Sequence, residues 1–381
     1  MGALDGIRVL DLTQQYPGPY CTLMLADLGA EVWKVEPPGG EPMRHQLSGV
    51  FDGVNRSKLG ITANLKTSMG KEIVLRLAEK ADVVVEGFRP GVVDRLGVGF
   101  EAMHKRNPRL VYCSISGFGQ TGPYRNLVGH DINYVAVSGA AALSGDPEGP
   151  AAWPVGIPVA DVAAGSFAAF SILAAVLSAR QTGKGQYLDV SMTDVLTAYT
   201  AIRVNEYLAR GRPTKSDQAG RASFGIFKTA DDQLIALGVV EEKFWLALCQ
   251  ALGFDDFAAD KALRTFTGRN LQWKRIRPRL TQALLAHPLA HWLKVLQAHD
   301  VPATVVNSMD DTLQDPQLTA REMFFTDESG NVQVAFPVKF SATPWAVQRP
   351  APTPGQHTDQ LLSSTGFTAQ EIEQARADGA I

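Results

Sequence analysis

The chain has 381 residues, of which 45% are hydrophobic and 20% are charged, and its formal net charge is −3. These values are typical of a globular protein of about two domains, and they argue against a dedicated nucleic-acid binder, which normally presents a strongly basic face. The three cysteines are far apart without a C-x-x-C pair, and the seven histidines include no H-E-x-x-H, so neither a disulfide framework nor a zinc site is indicated.

The first stretch, MGALDGIRVLDLT, lacks the basic-then-apolar plan of a signal peptide. We therefore expect a reducing, cytoplasmic setting. Short β-branched runs then alternate with helical stretches, which favours an α/β fold with a mainly parallel sheet and helices on both faces. The pattern predicts, in chain order, a strand over 7–12, a helix over 19–29, a strand over 30–36, a helix over 66–81, and strands over 82–86 and 110–116.

One segment, DVAAGSFAAFSILAAVLSAR over 161–180, is almost long enough to cross a bilayer, which takes about 20 apolar residues. It is rich in Ala, Gly and Ser and opens on an acid. We therefore predict a central helix buried in protein on all sides, and no membrane partner.

The second half of the chain predicts a different organisation. The segment 211–225 is polar and turn-rich, and it is a plausible crossing into a second domain. A hairpin with its turn at Asp231 and Asp232 follows over 224–239. The remaining patterns predict helices over 244–253, 273–286 and 289–300, a strand and turn over 300–309, and a tail of strand, extended linker and short helix over 330–379.

His130 and Asp131 stand side by side before an apolar helical pattern. One interpretation makes Asp131 the cap of the helix that starts near Ile132, because its carboxylate can accept free backbone N–H groups. The other makes His130 a general acid or base, since its ordinary pKa is about 6.5. Asp131 remains a cap in either case.

Asp161 precedes the small residues of the long apolar segment. It is either the N-cap of that helix or a catalytic carboxylate. Small residues let a ligand approach the backbone, and free N–H groups at a helix start favour negative charge on a bound group. Those amides, or a glycine turn, are our candidates for stabilising an oxyanion.

The remaining candidates are acids and cations with ordinary alternatives. Glu241 and Glu242 open a helix, where acids are common. The glycine-rich turns match neither G-x-G-x-x-G after a strand nor a Walker loop, so a nicotinamide or ATP site is not supported. Four cations lie in or beside loops, where each is either a phosphate ligand or a solvated surface charge: Arg56, Lys66, Arg89 and Arg95.

Taken together, the motifs of this chain resemble the superfamily of family III CoA-transferases (CaiB/BaiF) and α-methylacyl-CoA racemases. The matching stretches include LDLTQQYPGPYCTLMLADLGAEVWKVEPPGG, ITANLKT, VVVEGFRPGVVDRLGVGF, LVYCSISGFGQTGPY, GKGQYLDVSM and FKTADDQLIALG. They run to about residue 250, with weaker echoes in DVPATVV and GQHTDQLL.

The resemblance implies a homodimer of two interlocked, ring-shaped chains. Each chain has a large Rossmann-like domain built from both chain ends and a smaller central α+β domain. On this chain we place the large domain over 1–210, the small domain over 211–325 and the return to the large domain over 326–381. By motif position, coenzyme A, as part of the substrate, would contact Ala63, Lys66, Arg89, Arg95 and Tyr134.

The resemblance also implies two chemistries. Transferases use an aspartate at the position of Asp161 as a nucleophile, whereas racemases use it as one of two acid/base groups. Racemases also have the histidine of GHDINY, here His130, and a glutamate in a motif like IEPQFY, here Glu241 in VEEKFW. We therefore expect a 2-methylacyl-CoA racemase without a prosthetic group, with a CoA-transferase as the alternative. Glu241 would orient His130 or raise its basicity.

Overall fold

The computed structural model describes residues 2–153 and 156–381. The described chain forms two compact units. The first combines the residues up to Ala141 with Trp153–Ala201 and Arg321–Ile381, and the second comprises Ala142–Ala152 and Ile202–Ala320. The sequence prediction set its boundaries at residues 210 and 325, and it gave no part of 142–152 to the second unit.

A six-stranded parallel sheet forms the centre of the first unit. Its strands are β1 (Arg8–Asp11), β2 (Glu31–Glu36), β3 (Leu59–Thr62), β4 (Val83–Glu86), β5 (Val111–Ser116) and β6 (Tyr187–Ser191). Their order is β3-β2-β1-β4-β5-β6. In the register, Val9 pairs with Val32 on one side and Val83 on the other. These strands read as continuous apolar runs because helices cover both faces of the sheet. The predicted α/β fold with a parallel central sheet is confirmed.

The strand order reverses between β1 and β4. In open α/β sheets a crevice forms outside the carboxyl ends of the strands at such a reversal, and ligands bind there. The helices that surround the sheet are α1 (Pro17–Asp27), α2 (Met43–Gln46), α3 (Ser48–Asn55), α4 (Ser68–Lys80), α5 (Val92–Leu96), α6 (Phe100–Arg106), α7 (Asp131–Val137), α8 (Ala140–Leu143), α9 (Val159–Thr182) and α10 (Met192–Tyr199).

Helix α9 packs against α1 and α10 and contributes a row of buried alanines to the core on one face of the sheet. It is the described helix whose length and composition would allow it to cross a membrane, and 50% of its most apolar stretch is buried. The prediction that it is buried on all sides is wrong for this chain, because Phe170 is 70% exposed and Leu177 is 61% exposed. A helix that is apolar all round carries no stripe from which its buried face can be predicted.

The second unit is built on a small antiparallel sheet. The predicted hairpin is confirmed as β7 (Phe224–Lys228) and β8 (Leu234–Gly238), and β9 (Ala303–Val305) pairs with β8. Asp232, in the turn, has a left-handed φ of 59°. The helices are α11 (Ala201–Ala209), α12 (Lys215–Ala219), α13 (Glu242–Leu252), α14 (Asp255–Ala259), α15 (Phe266–Leu271), α16 (Trp273–Leu284), α17 (Leu289–Ala298), α18 (Met309–Gln314) and α19 (Pro316–Ala320).

The C-terminal segment returns to the first unit. It forms the strand pair β10 (Phe324–Thr326) and β11 (Val332–Val334) and the helices α20 (Thr358–Ser364) and α21 (Ala369–Ala377). Leu362 and Ile372 are buried in the same core as Leu77 of α4. The backbone N–H of Asn64 donates to the Ala380 carbonyl at 2.8 Å. The sheet is therefore covered on this face by residues from both ends of the chain.

Candidate active site

A cavity of about 920 Å³ opens in the first unit at the carboxyl edge of the sheet. Residues 14–18 after β1, 87–90 after β4 and 115–118 at the end of β5 line it, together with the starts of α7 and α9. The cavity therefore lies where the strand order reverses, which is the place that the fold favours for a ligand.

The cavity brings together four of the site residues that the sequence predicted. Arg89, His130, Tyr134 and Asp161 all line it, although they come from three separate segments of the chain. An imidazole, a carboxylate and a guanidinium therefore line one volume.

Three of the predicted CoA contacts lie elsewhere. Ala63, Lys66 and Arg95 are not among the described residues that line the cavity. Ala63 is buried after β3, whereas Lys66 and Arg95 are exposed. Arg56, which the sequence left open as a phosphate ligand, is buried and its guanidinium contacts the Asp27 carboxylate at 2.6 Å. Arg56 therefore belongs to a buried ion pair with Asp27, and we exclude it as a phosphate ligand.

Glu241 belongs to the second unit. It is exposed and precedes the first residue of α13 as the N-cap. Glu242 is the first residue of that helix, and its carboxylate accepts a hydrogen bond from Arg264 at 2.7 Å. Glu242 is therefore engaged in an ion pair with Arg264, whereas Glu241 is the exposed N-cap residue.

Asp131 does not cap the helix that the sequence assigned to it. The N-cap of α7 is His130, whose backbone N–H donates to the Asn133 side chain at 2.9 Å. The Asp131 carboxylate is buried and instead accepts the backbone N–H groups of Ala160 at 2.6 Å and Asp161 at 3.4 Å. Asp131 therefore caps the distant helix α9, because tertiary folding places the start of α9 over it.

The Asp161 side chain lies in the first turn of α9 and does not cap it, since the N-cap is Pro158. None of the described residues donates a hydrogen bond to its carboxylate. Burial raises the pKa of Asp161 to about 7, and the negative charge of Asp131 adds to this effect. A pKa in this range suits a carboxyl group that gives and takes a proton near neutral pH.

The same contacts change the expectation for an oxyanion site. The amides of Ala160 and Asp161 were candidates for stabilising negative charge on a bound group. Both donate to Asp131, and the next amide, that of Val162, donates within the helix to the Pro158 carbonyl at 3.0 Å. These three donors are occupied, so the prediction is wrong for them.

Tyr134 holds the turn that carries His130. Its hydroxyl donates to the Gly129 carbonyl at 2.6 Å, and its ring packs edge-on against Phe118 with centroids 5.1 Å apart. Burial raises the pKa of Tyr134 to about 12, so the hydroxyl keeps its proton at neutral pH. A Cβ atom at Gly117 would stand 2.4 Å from this ring, so the packing requires glycine there.

The cavity wall also holds a cation that the sequence analysis did not select. Arg125 lines the cavity, as Arg89 does. In the sequence, Arg125 is marked only by its position directly after the TGPY motif. Guanidinium groups suit phosphate and carboxylate oxygens, so this wall can take an anionic ligand. The apolar lining residues include Met43, Leu47, Val50, Phe88, Phe118, Leu127 and Val128.

Metal chemistry has no visible support in the described part of the chain. There, no group of three or more His, Cys, Asp or Glu side chains is arranged to hold a metal ion. All three cysteines are buried and free.

The family model of CoA-transferase family III matches residues 4–358. The chain belongs to this family. The resemblance identified from the motifs is thereby confirmed.

Two relatives show the range of activities in the family. The chain is 34% identical to a succinate–glutarate CoA-transferase of Agrobacterium fabrum, with 94% of this chain and 95% of the relative covered. It is 30% identical to an α-methylacyl-CoA racemase of Homo sapiens, with 99% of this chain and 97% of the relative covered. The family III fold therefore accompanies both transferases and racemases.

The fold agrees with a solved structure of the family. The crystal structure of a CaiB/BaiF family protein from Brucella suis has a TM-score of 0.84 and 29% sequence identity to this chain. The likeness covers 96% of this chain and 99% of that one.

Proposed function

We propose that this family III protein is an acyl-CoA racemase that inverts the α-carbon of a 2-methylacyl-CoA thioester. The observation that carries the proposal is that His130 and Asp161 line one cavity, while the Asp161 carboxylate has a pKa of about 7. Inversion requires two proton-transfer groups on opposite sides of one carbon, and such groups work best when their pKa lies near the working pH.

In this mechanism one of the two residues removes the α-proton and leaves an enolate on the thioester oxygen. The other residue then returns a proton to the opposite face of the carbon. Because the two residues exchange roles for the opposite epimer, the site acts in both directions. Each positioned acid or base typically contributes about 100- to 10,000-fold to the rate. Arg89 and Arg125 supply positive charge for the phosphates of coenzyme A.

Three further parts of the proposal come from the family resemblance. Glu241 would orient His130 or raise its basicity, the protein would act as an interlocked homodimer, and the reaction would take place in the cytoplasm. No prosthetic group is needed, because coenzyme A arrives as part of the substrate.

A second candidate is CoA transfer between an acyl-CoA and a free carboxylic acid. The higher identity to a named CoA-transferase, 34% against 30% for the racemase, favours it. Here the Asp161 carboxylate attacks the thioester carbonyl and releases the CoA thiolate, leaving an acyl anhydride. The thiolate then attacks the aspartyl carbonyl and releases the first acid. The acceptor carboxylate attacks the resulting aspartyl thioester and expels the CoA thiolate, which leaves a second anhydride. The thiolate finally attacks the acceptor acyl carbonyl of this anhydride, forms the new acyl-CoA and restores the Asp161 carboxylate. His130 would be auxiliary in this reaction.

A single epimer of a 2-methylacyl-CoA in heavy water tests the proposal. We expect the wild-type protein to incorporate deuterium at the α-carbon and to lose stereochemical purity. His130→Gln and Asp161→Asn should each abolish inversion, and each should retain deuterium exchange from one epimer only, opposite for the two variants. His45→Ala serves as the matched control, because His45 is exposed and is not among the described lining residues.

A parallel reaction with an isotopically labelled free acid tests the second candidate. Transfer of CoA to the labelled acid without α-exchange, abolished by Asp161→Asn and retained by His130→Gln, would overturn the racemase proposal. Exchange and inversion without transfer would exclude the transferase.

A further inference from the structure

The proposed reaction develops negative charge on the thioester oxygen, and that oxygen needs a hydrogen-bond donor. The donors nearest to Asp161 along its own helix are the amides of Ala160 and Asp161, and Asp131 occupies both. These two amides are therefore not free for the thioester oxygen, and a side chain elsewhere on the cavity wall can supply the donor.

Helices α1 and α9 approach each other closely beside the site. A Cβ atom at Gly165 would lie 2.7 Å from the Pro17 carbonyl oxygen and 3.1 Å from the ring of Tyr20. Glycine at this position therefore lets α1 pack directly on the backbone of α9. Gly165 lies one helical turn after Asp161, so both residues are on the same face of α9.

The same one-turn spacing occurs on the facing segment. Tyr16 precedes Tyr20 by four residues, and their rings stack with centroids 5.7 Å apart and planes 9° apart. Tyr16 directly precedes Pro17, whose carbonyl oxygen approaches Gly165. Tyr16 and Asp161 line the same cavity. Burial, the neighbouring Tyr20 and the charge of Asp161 together raise the pKa of Tyr16, so its hydroxyl keeps its proton.

A hydrogen bond to the buried Glu41 carboxylate fixes the backbone before Tyr16. Gln15 has a left-handed φ of 68°, and its N–H donates to the Glu41 carboxylate at 2.9 Å. Glu41 is fully buried and pairs with the buried Lys34 ammonium at 2.9 Å. Tyr16 therefore stands on a fixed turn, as a preorganised donor requires.

Burial and the charge of Asp161 raise the pKa of two tyrosines, Tyr16 and Tyr134. Their hydroxyl groups differ in their hydrogen bonds. The Tyr134 hydroxyl donates to the Gly129 carbonyl. Among the described residues, none accepts a hydrogen bond from the Tyr16 hydroxyl, so its proton is available to a ligand in the cavity.

We propose that Tyr16 is a catalytic hydrogen-bond donor to the thioester oxygen of the bound acyl-CoA and that Gly165 positions it. The inference rests on the proposed function only in taking Asp161 as the reacting carboxylate. The oxygen becomes negative both in an enolate and in the tetrahedral intermediate of acyl transfer, so the role of Tyr16 is the same in either reaction.

The first test compares Tyr16→Phe with the matched control Tyr20→Phe. Both changes keep the stacked rings and remove one hydroxyl, but Tyr20 is not among the described residues that line the cavity. We expect kcat to fall about 100-fold in Tyr16→Phe, as for the loss of one oxyanion donor, while KM and the thermal midpoint stay unchanged. Tyr20→Phe should retain the wild-type kcat. Equal losses in both variants would mean that the ring pair is only structural, and no loss would assign the donor to a backbone amide such as that of Val159.

The second test needs no turnover. Isobutyryl-CoA labelled with carbon-13 at the thioester carbonyl is bound to each protein, and the carbonyl stretch is measured by infrared difference spectroscopy. We expect binding to the wild-type protein and to Tyr20→Phe to lower the frequency, and this shift to be lost in Tyr16→Phe and reduced in Gly165→Ala. A shift that persists in Tyr16→Phe would overturn the inference. Failure of racemase activity with an intact shift would contradict the proposed function alone.

Discussion

Asp161 should weaken the fold at neutral and alkaline pH, and its neutral isostere should therefore stabilise the protein there. Burial and the Asp131 charge raise the pKa of this carboxyl from its ordinary value of 3.8 to about 7 in the folded state. Between these two values the folded protein binds more protons at this site than the unfolded chain does. The stability of the protein therefore falls as the pH rises through this window and levels off above about 7.

The size of the effect follows from the same two values. A difference of about three pH units, at about 1.4 kcal/mol each, corresponds to about 4 kcal/mol above pH 7. At pH 5 only about a third of the window has been crossed, so the destabilisation there is about 1.5 kcal/mol. Asp161→Asn removes the ionisation and keeps the shape. It should raise the free energy of unfolding by up to these amounts and have little effect near pH 3.

Urea unfolding of the wild-type protein and Asp161→Asn at pH 5 and pH 8, followed by tryptophan fluorescence, measures the difference directly. Asp310→Asn is the control, because Asp310 is an exposed aspartate in the first turn of α18. A gain in Asp161→Asn that is the same at both pH values, or a loss at pH 8, would refute the reasoning. Either result would mean that the carboxylate is better solvated than its position at the start of α9 indicates.

Three further substitutions test the contacts around the site. Asp131→Asn keeps an oxygen for the Ala160 amide but removes a negative charge, so the pKa of Asp161 should fall and its limb of the pH–rate profile should move to lower pH; an unmoved limb would contradict this. Tyr134→Phe removes the 2.6 Å hydrogen bond to the His130 turn and should lower the free energy of unfolding by about 1 kcal/mol, as urea denaturation would show. Lys58→Met leaves Asp11 buried without its 3.0 Å ion-pair partner and should cost about 3–5 kcal/mol in the same assay; a loss below about 0.5 kcal/mol, the size expected at an ordinary surface position, would contradict that assignment.

Local patterns in the sequence were enough to predict the architecture of the first unit. The runs at 7–12, 30–36, 82–86 and 110–116 became β1, β2, β4 and β5, since buried parallel strands are short apolar runs separated by helical periods. The hairpin at 224–239 was predictable for a similar reason, because turn residues separate two apolar runs. His130 and Asp161 became candidates from their residue types and their positions before helical patterns, and the family followed from the motifs along the chain.

Tertiary structure alone decided which groups meet. Asp131 could be recognised as a capping residue from its type and position. Only the packing of α9 over α7 shows that it caps α9 and that its charge adds to burial in raising the pKa of Asp161. Arg56 and Arg89 are both arginines in or beside loops in the sequence, yet one is buried on Asp27 and the other lines the cavity. Tyr16 gained a candidate role only because Gly165 admits α1 to the backbone of α9. The sequence determines elements through short-range periodicity, whereas these contacts join residues far apart along the chain, and helix packing decides them.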